Sequence, residues 1–395
     1  MGPLITSFGL VLLLAVLLSG LAGRTVLSTA VLFLAAGFVL GPALLGVLPF
    51  QAGDDAVAGI AQLALFVVLF TDGQRVSVRD LAVHWHLPGR ALLFGMPLTF
   101  AISAVLGVVL VGMSWTEALL VAAVLAPTDP VFASAIVGRE EIPIRVRSLL
   151  NVESGLNDGI ALPFVILLIG VAGHRESHLL ALVLEVCGGI ALGIAVPLLV
   201  ELLLRIRLLA QTRLYAALAP AAVAILVYGL ALVTGANLYL AAFSAGVTIA
   251  SAAPAMRDAF AEIGEYVAEV VKLFAIFLFG SLVSPAALGD VPPLGYVFAV
   301  LLLVLARPLA VEIALLGSGL SWQERLTAAW FGPKGFASVL YGLLVLDSGL
   351  PRADHLYHLI VVAISLSIVA HSSTDVPIAH YFDRQQQGQA GRAPA

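Results

Sequence analysis

The sequence predicts an all-α polytopic membrane protein of about thirteen transmembrane helices, with inverted repeats and two crossed, broken helices. Of its 395 residues, 61% are hydrophobic and only 11% are charged, so most of the chain must lie in lipid rather than fold around a water-facing surface. A spanning helix needs about 20 apolar residues, so this length holds roughly a dozen helices joined by short loops. Two apolar runs are interrupted by proline and glycine, and such interruptions at membrane depth are typical of transport proteins.

Long apolar runs broken by charge, proline or glycine define the candidate spans. We place them near residues 3–22, 25–47, 56–72, 91–112, 116–137, 147–172, 178–204, 213–233, 237–252, 259–282, 292–318, 324–346 and 355–380. Residues 1–380 are therefore predicted to form a single transmembrane domain. Residues 381–395 are polar and Gln-rich, and we expect a short disordered tail there on the cytoplasmic side.

The distribution of basic residues predicts the orientation, because short loops rich in Lys and Arg stay on the cytoplasmic side. With an external N-terminus, most of the 19 basic residues fall on that side. They are Arg24, Arg75, Arg79, Arg90, Arg139, Arg145, Arg147, Arg205, Arg207, Arg213, Arg257, Arg325, Arg384 and Arg392. Only Arg175 and Arg352 fall outside, while Lys272, Arg307 and Lys334 lie within spans. We expect a multi-pass protein of a bacterial inner (plasma) membrane, with its C-terminus in the cytoplasm.

The fifth span contains the segment Ala126-Pro127-Thr128-Asp129-Pro130. Two prolines flanking Asp129 remove backbone donors in mid-membrane, so the helix should be interrupted and some carbonyls left without partners. Irregular backbone at this depth is tolerated only where protein or a water-filled cavity satisfies it. Free carbonyls and a carboxylate are ligands that a hard cation prefers, so the segment predicts a cation site.

The sixth span carries Asn151-Val152-Glu153-Ser154-Gly155-Leu156-Asn157-Asp158-Gly159. Ser154 and Asp158 are four residues apart and share one helix face, and Glu153 and Asn157 share a neighbouring face. Acids inside a membrane line ion paths or pair with bases. We therefore predict Asp158 as a site residue. Glu153 is predicted to pair with Arg307 of the eleventh span, because a buried Arg needs an anion at bidentate range.

The twelfth span contains a second interrupted stretch, Phe331-Gly332-Pro333-Lys334-Gly335-Phe336-Ala337-Ser338. It lies seven spans after the first, and Phe336-Ala337-Ser338 repeats Phe132-Ala133-Ser134. An inverted repeat with two crossed, broken helices leaves this pattern. Lys334 is read either as a charge that offsets the negative half-helix ends at the crossing or as a lysine extending to the cytoplasmic surface.

Further acids are assigned less specifically. Asp72, near the end of the third span, is read as a ligand or funnel acid, or as an interfacial acid at a helix end. Glu262, Glu265 and Glu269 occur at helical spacing at the predicted cytoplasmic end of the tenth span. They form either a solvated helix end or the wall of an ion funnel, where acidic side chains would concentrate cations.

These residues resemble the monovalent cation:proton antiporters of the NhaP type, which are related to the animal sodium/proton exchangers. The resemblance covers essentially the whole chain. Its most specific parts are Thr128-Asp129-Pro130 and Glu153-Ser154-Gly155-Leu156-Asn157-Asp158, supported by Ala306-Arg307-Pro308 and Gly332-Pro333-Lys334-Gly335. Similar proteins often have Arg where this chain has Lys334.

The resemblance implies a homodimer in which a core domain moves against a dimerisation domain. The core helices would lie near 56–172 and 292–380, and the dimerisation helices would include 1–47 and 178–252. The resemblance makes Asp158 the main carrier of cation and proton, with Na⁺ held at Asp129, Ser154 and Asp158 and by the Thr128 backbone. Asn157 would stabilise the crossing.

The expected function is exchange of Na⁺, or of Li⁺ or K⁺, for protons by alternating access around Asp158. Asn157 cannot titrate, so electroneutral one-for-one exchange is expected. The alternatives are an antiporter that prefers K⁺ and, more remotely, a cation channel, although no charge ring or carbonyl filter is recognisable. We expect no enzyme activity, because there is no HExxH and Ala242-Phe243-Ser244-Ala245-Gly246 lacks the first glycine of a nucleophile elbow. No cofactor and no nucleic acid partner are expected, and the single Cys187 offers no Cys-based metal site.

Overall fold

The structure, a computed structural model, describes residues 2–22, 29–51, 53–76, 85–129, 142–173, 179–206 and 212–390. All regular secondary structure in these ranges is helical. The helices are α1 (Gly2–Ala22), α2 (Thr29–Leu40), α3 (Asp55–Gln74), α4 (His86–Val111), α5 (Trp115–Leu125), α6 (Ile144–Ala172), α7 (Leu179–Leu204), α8 (Arg213–Thr234), α9 (Leu238–Ala252), α10 (Pro254–Leu282), α11 (Pro293–Ala314), α12 (Trp322–Trp330), α13 (Phe336–Asp347) and α14 (Ala353–Ala390). A single helical turn, Pro285–Gly289, follows α10.

Seven of the described helices are long and apolar enough to cross a membrane by length and composition. They lie within α3, α4, α6, α7, α8, α11 and α14. Shorter apolar helices occupy the remaining predicted spans except the tenth. Helix α10, in the tenth span, carries Glu262, Glu265 and Glu269. The predicted all-α multi-pass membrane fold is confirmed. The number of thirteen crossings stays a prediction.

The two predicted helix interruptions are present. Helix α5 ends at Leu125 and the chain is non-helical through Asp129. Helices α12 and α13 are separated by the non-helical residues 331–335. Pro130 and Phe132-Ala133-Ser134, on which the predicted repeat partly rests, lie outside the described residues.

Matching caps begin the two interrupted spans. Ser114 accepts a hydrogen bond from the Glu117 backbone, and the Glu117 side chain accepts one from the Ser114 backbone. Ser321 and Glu324 repeat this capping box at the start of α12. The motif Ser-Trp-x-Glu therefore occurs at both helix starts. This correspondence supports the predicted repeat.

Glycines bring sequence-distant helices to backbone contact. A methyl group on Gly37 or Gly280 would overlap the backbone of the facing helix where α2 crosses α10. The same holds for Gly73 and Gly246 where α3 crosses α9. Small residues permit such close approach between membrane helices. Helix α3 lies in the range predicted for the core and α9 in the range predicted for dimerisation, and these two helices pack directly together. The grouping into two domains stays a prediction.

The predicted disordered tail is wrong for residues 381–390. Helix α14 continues through Ala390, because Gln and Arg are good helix formers and extending an existing helix costs no new nucleus. Phe382 is only 4% exposed and packs in a cluster with Val146 of α6 and Leu315. This burial holds the start of the extension against the domain. Residues 391–395 lie outside the described ranges.

Candidate functional site

The two interrupted segments meet and hold each other. The backbone N–H of Asp129 donates to the Pro333 carbonyl at 2.9 Å. The Asp129 Oδ2 atom accepts from the N–H of Phe336, the first residue of α13, at 2.7 Å. A carboxylate at a helix N-terminus both satisfies an unpaired donor and meets the positive end of the helix dipole. Asp129 therefore caps α13.

Lys334, from the second break, contacts the first break. Its Nζ atom lies 3.3 Å from the carbonyl oxygens of both Ala126 and Pro127, directly after the end of α5. The side chain is 1% exposed, so these hydrogen bonds hold its charge among carbonyls that the helix break leaves free. The structure thus places Lys334 at the crossing. Its backbone N–H donates to Ser367 Oγ at 2.7 Å.

A glycine is required beside Asp129. A methyl group at Gly335 would overlap the Asp129 side chain, including Oδ2. The close approach of the backbone to this carboxylate explains why the interrupted stretch has glycine immediately before α13.

A polar cluster connects the first break to α6. Asn157 Nδ2 donates to Thr128 Oγ1 at 2.7 Å, and Thr128 Oγ1 lies 3.3 Å from Ser154 Oγ. All three side chains are buried. Asn157 Oδ1 has no hydrogen-bond partner among the described residues. The cluster fixes the break against α6 and presents hydroxyl and amide oxygens beside Asp129.

Asp158 lies on α6, on the same face as Ser154, and is 4% exposed. Its Oδ1 atom has no hydrogen-bond partner within the described part of the chain. Its backbone carbonyl accepts from the Tyr341 hydroxyl at 2.8 Å, a contact that ties α6 to α13. A buried carboxylate oxygen without a donor is costly unless a proton or a cation completes it.

Glu153 and Arg307 form a bidentate ion pair. Arg307 donates from Nη1 to Glu153 Oε1 at 2.7 Å and from Nη2 to Oε2 at 3.1 Å. Nη2 also donates to the Phe331 carbonyl at the second break, at 3.2 Å. Gly332 lies so close that a methyl group there would overlap the guanidinium. The helix is π-helical over Leu302–Ala306, where Pro308 cannot donate to the backbone one turn earlier.

Two residues of α14 hold the second break and were not singled out from the sequence. His371 ring nitrogens lie 3.0 Å from the Trp330 carbonyl and 2.7 Å from the Ser367 carbonyl. Ser367 Oγ accepts from Lys334 N–H on the far side of the break. Ser367 and His371 are four residues apart on one helix face. This spacing of two polar residues in an apolar span is the sequence feature that could have identified them.

Asp72 is buried and paired with Lys272 of α10, whose Nζ lies 3.3 Å from Asp72 Oδ1. Arg75 Nη1 lies 3.4 Å from the same oxygen. Asp72 is therefore not an interfacial acid in water, since it is 1% exposed. The sequence reasoning identified neither of its partners.

The three glutamates of α10 are exposed and are not brought to the crossing. Glu265 lines a cavity of ≈ 310 Å³ together with Thr71, Gln74, Arg75, Arg257, Phe260, Ala261 and Gly264, and lies 3.9 Å from Arg75. Glu262 accepts from the Tyr266 hydroxyl at 3.2 Å. Glu269 lies on the same exposed face and does not line this cavity.

The buried charges nearly cancel. Among the described residues, four buried acids face three buried bases. They are Asp72, Asp129, Glu153 and Asp158, and Lys272, Arg307 and Lys334. With histidine neutral and the other six groups in their usual charged forms, this set carries one net negative charge when Asp158 is ionised. One proton or one monovalent cation at Asp158 makes it neutral.

The sequence also matches a known protein family. Residues 9–380 match the family described as "Sodium/hydrogen exchanger, transmembrane". The chain belongs to this family. Because the match covers nearly the whole sequence, the crossing and the buried charge set both lie within the family's transmembrane unit.

Two curated relatives are similar along most of the chain. The K(+)/H(+) antiporter NhaP2 of Shewanella sp. (strain MR-4) is 26% identical over 369 residues, covering 91% of this chain and 64% of the relative. The K(+)/H(+) antiporter NhaP of Alkalimonas amylolytica is 25% identical over 389 residues, covering 97% of this chain and 67% of the relative. This exchanger-family chain thus spans about two thirds of the length of these relatives.

A solved structure has the same fold. The sodium proton antiporter MjNhaP1 from Methanocaldococcus jannaschii superposes with a TM-score of 0.78 at 20% sequence identity, covering 95% of this chain and 97% of that protein. The agreement shows that this chain shares the helix arrangement of that structure.

Proposed function

We propose that this chain is a secondary antiporter that exchanges a monovalent cation for a proton by alternating access around Asp158. The observation that carries the proposal is the buried charge balance. Asp158 has an oxygen with no partner in the described structure, and one unit of positive charge neutralises the whole buried set. A proton and a monovalent cation each supply that unit, so they are mutually exclusive occupants.

The proposed cation ligands surround the break in the fifth span. Asp158 and Ser154 would bind from α6, and Asp129 and the Thr128 backbone from the interrupted segment. Oxygen ligands of this kind suit hard cations. Asn157 would keep Thr128 in place through its 2.7 Å hydrogen bond, and the Glu153–Arg307 pair would fix the second break relative to α6.

Coupling follows from exclusive occupancy. If the site opens to one side of the membrane at a time and moves only when occupied, a cation carried one way must be followed by a proton carried back. One gradient then drives the other. The occupied site is neutral in both directions, which lowers the cost of moving it through the membrane.

Two cation preferences are proposed for testing. Na⁺ is the first, because carboxylate, hydroxyl and carbonyl oxygens form the site. K⁺ is the second, because the relatives from Shewanella and Alkalimonas are named as K(+)/H(+) antiporters. The physiological setting that we propose is a bacterial inner membrane, with an external N-terminus and a homodimer as the working unit.

The decisive experiment measures cation-induced proton movement in everted membrane vesicles that contain this chain. Na⁺, Li⁺ and K⁺ are added separately, and collapse of a preformed ΔpH reports exchange. Vesicles with Asp158→Asn provide the matched control. Absence of a response to all three cations, with the protein present in the membrane, would refute the proposed function.

A further inference from the structure

Lys272 is a buried base outside the crossing, and the mechanism above gives it no task. It lies on α10, is 2% exposed, and its Nζ contacts Asp72 Oδ1 at 3.3 Å. Replacing a buried ion pair by apolar residues is often neutral or even stabilising. Stability alone therefore does not explain a lysine here.

Asp72 lies close to the exchange site. Gly73 directly follows Asp72, and Gly159 directly follows Asp158. Both glycines contact Phe243 of α9, because a methyl group on either would overlap this residue. In addition, Val76 lies against Gly155, one turn before Asp158.

Asp72 also has the means to bind a cation. Its Oδ2 atom has no hydrogen-bond partner among the described residues, although the side chain is 1% exposed. The second base at Oδ1, Arg75, has a side chain that is 39% exposed and reaches the cavity lined by Glu265. Of the two bases at this oxygen, Lys272 is the buried one.

We propose that Lys272 is a positioning residue whose fixed charge keeps Asp72 out of the exchange cycle, so that each cycle carries one proton against one cation. This inference rests on the proposed antiport at Asp158. With Lys272 present, the Asp72 pair is neutral whether Asp158 holds a proton or a cation. Without it, the base left beside Asp72 is Arg75, whose side chain is 39% exposed and therefore offsets the buried carboxylate less. Two carboxylates then share one region, and a cation held between them displaces two protons. Two protons against one cation move one net charge per cycle.

The test compares the voltage dependence of exchange in proteoliposomes. Voltage is imposed with a gradient of a permeant anion such as thiocyanate, so that no second cation competes. For wild type, the gradient at which exchange reverses should not change with voltage. For Lys272→Met the reversal point should shift with voltage. Lys272→Arg, which keeps the charge, and the double variant Lys272→Met with Asp72→Asn, which removes both charges, should behave as wild type.

Active Lys272→Met with a voltage-independent reversal point would overturn the proposal. If Lys272→Met does not transport, the purified protein is mixed with the cation in weakly buffered detergent solution and proton release is measured. Two protons released per cation bound support the proposal, and one proton, as in wild type, overturns it.

If Lys272→Met is too unstable to purify, Asp72→Asn is measured instead. This change leaves Lys272 unpaired and should raise the cation concentration for half-maximal exchange by about tenfold or more. The double variant should restore it, and no restoration would overturn the pairing. Failure of wild type to exchange any monovalent cation would instead refute the proposed function, whatever Lys272 does.

Discussion

Asp129 caps the N-terminus of α13, and Lys334 caps the C-terminal end of α5. The Asp129 carboxylate accepts from the first N–H of α13, and the Lys334 ammonium donates to the carbonyls that follow α5. Each charged residue therefore belongs to one break and satisfies the helix end at the other. This reciprocal capping gives hydrogen-bond partners to backbone groups that the breaks would otherwise leave unpaired in the membrane.

Lys334→Met should reduce both stability and exchange. It removes two hydrogen bonds from a charged donor, each contributing about 1.5–3 kcal/mol, and frees two buried carbonyls. Thermal unfolding in detergent measures the loss. The matched control is Lys334→Arg, which keeps the charge and should retain most stability and activity. Equal melting temperatures for Lys334→Met and wild type would show that the caps are not needed.

Asp158→Asn should abolish exchange and leave a folded protein in the membrane. The amide has the size of the carboxylate but binds no exchangeable proton at neutral pH, and the free Oδ1 position tolerates it. Vesicle assays with quantified protein test this. Asp129→Asn should also abolish exchange, although its amide oxygen can still accept from Phe336 N–H. Sustained transport by Asp158→Asn would show that the exchanging group lies elsewhere.

Glu153→Gln should fail by losing stability. Arg307 would keep its buried charge without a carboxylate, at a cost of roughly 3–5 kcal/mol. Adding Arg307→Gln should recover part of this loss, because the double variant contains no unpaired charge. Melting temperatures of the two single variants and the double variant decide the matter. If the double variant melts no higher than the less stable single variant, the two residues do not act as a pair.

Wild-type exchange should be electroneutral. One acid of the buried set remains after each base is matched by an acid, and Asn157 beside Asp158 cannot titrate. In proteoliposomes, the reversal point should depend only on the cation and proton gradients. A voltage-dependent reversal point in the wild-type protein would require a second exchanging group.

The sequence was sufficient for the parts of the site that are local in the chain. Proline on each side of Asp129 removes helix donors wherever the segment lies, so the break at the fifth span was predictable. Helical periodicity placed Ser154 with Asp158 on one face. The bidentate contact of Glu153 with Arg307 was expected because a buried Arg needs an anion at bidentate range, and the structure contains it.

Only the tertiary structure decided which distant groups meet. Asp72 pairs with Lys272, which is 200 residues away in the chain. This pairing depends on how α3 and α10 pack, and the positions of apolar runs do not indicate which helices pack together. The same reason explains why α14 was ended too early, since Phe382 is held by residues of other helices. Hydropathy and backbone chemistry act within a segment, so the sequence by itself determined the membrane helices and their breaks. Burial, glycine contacts and charge balance arise between segments, and the packed structure alone determined them.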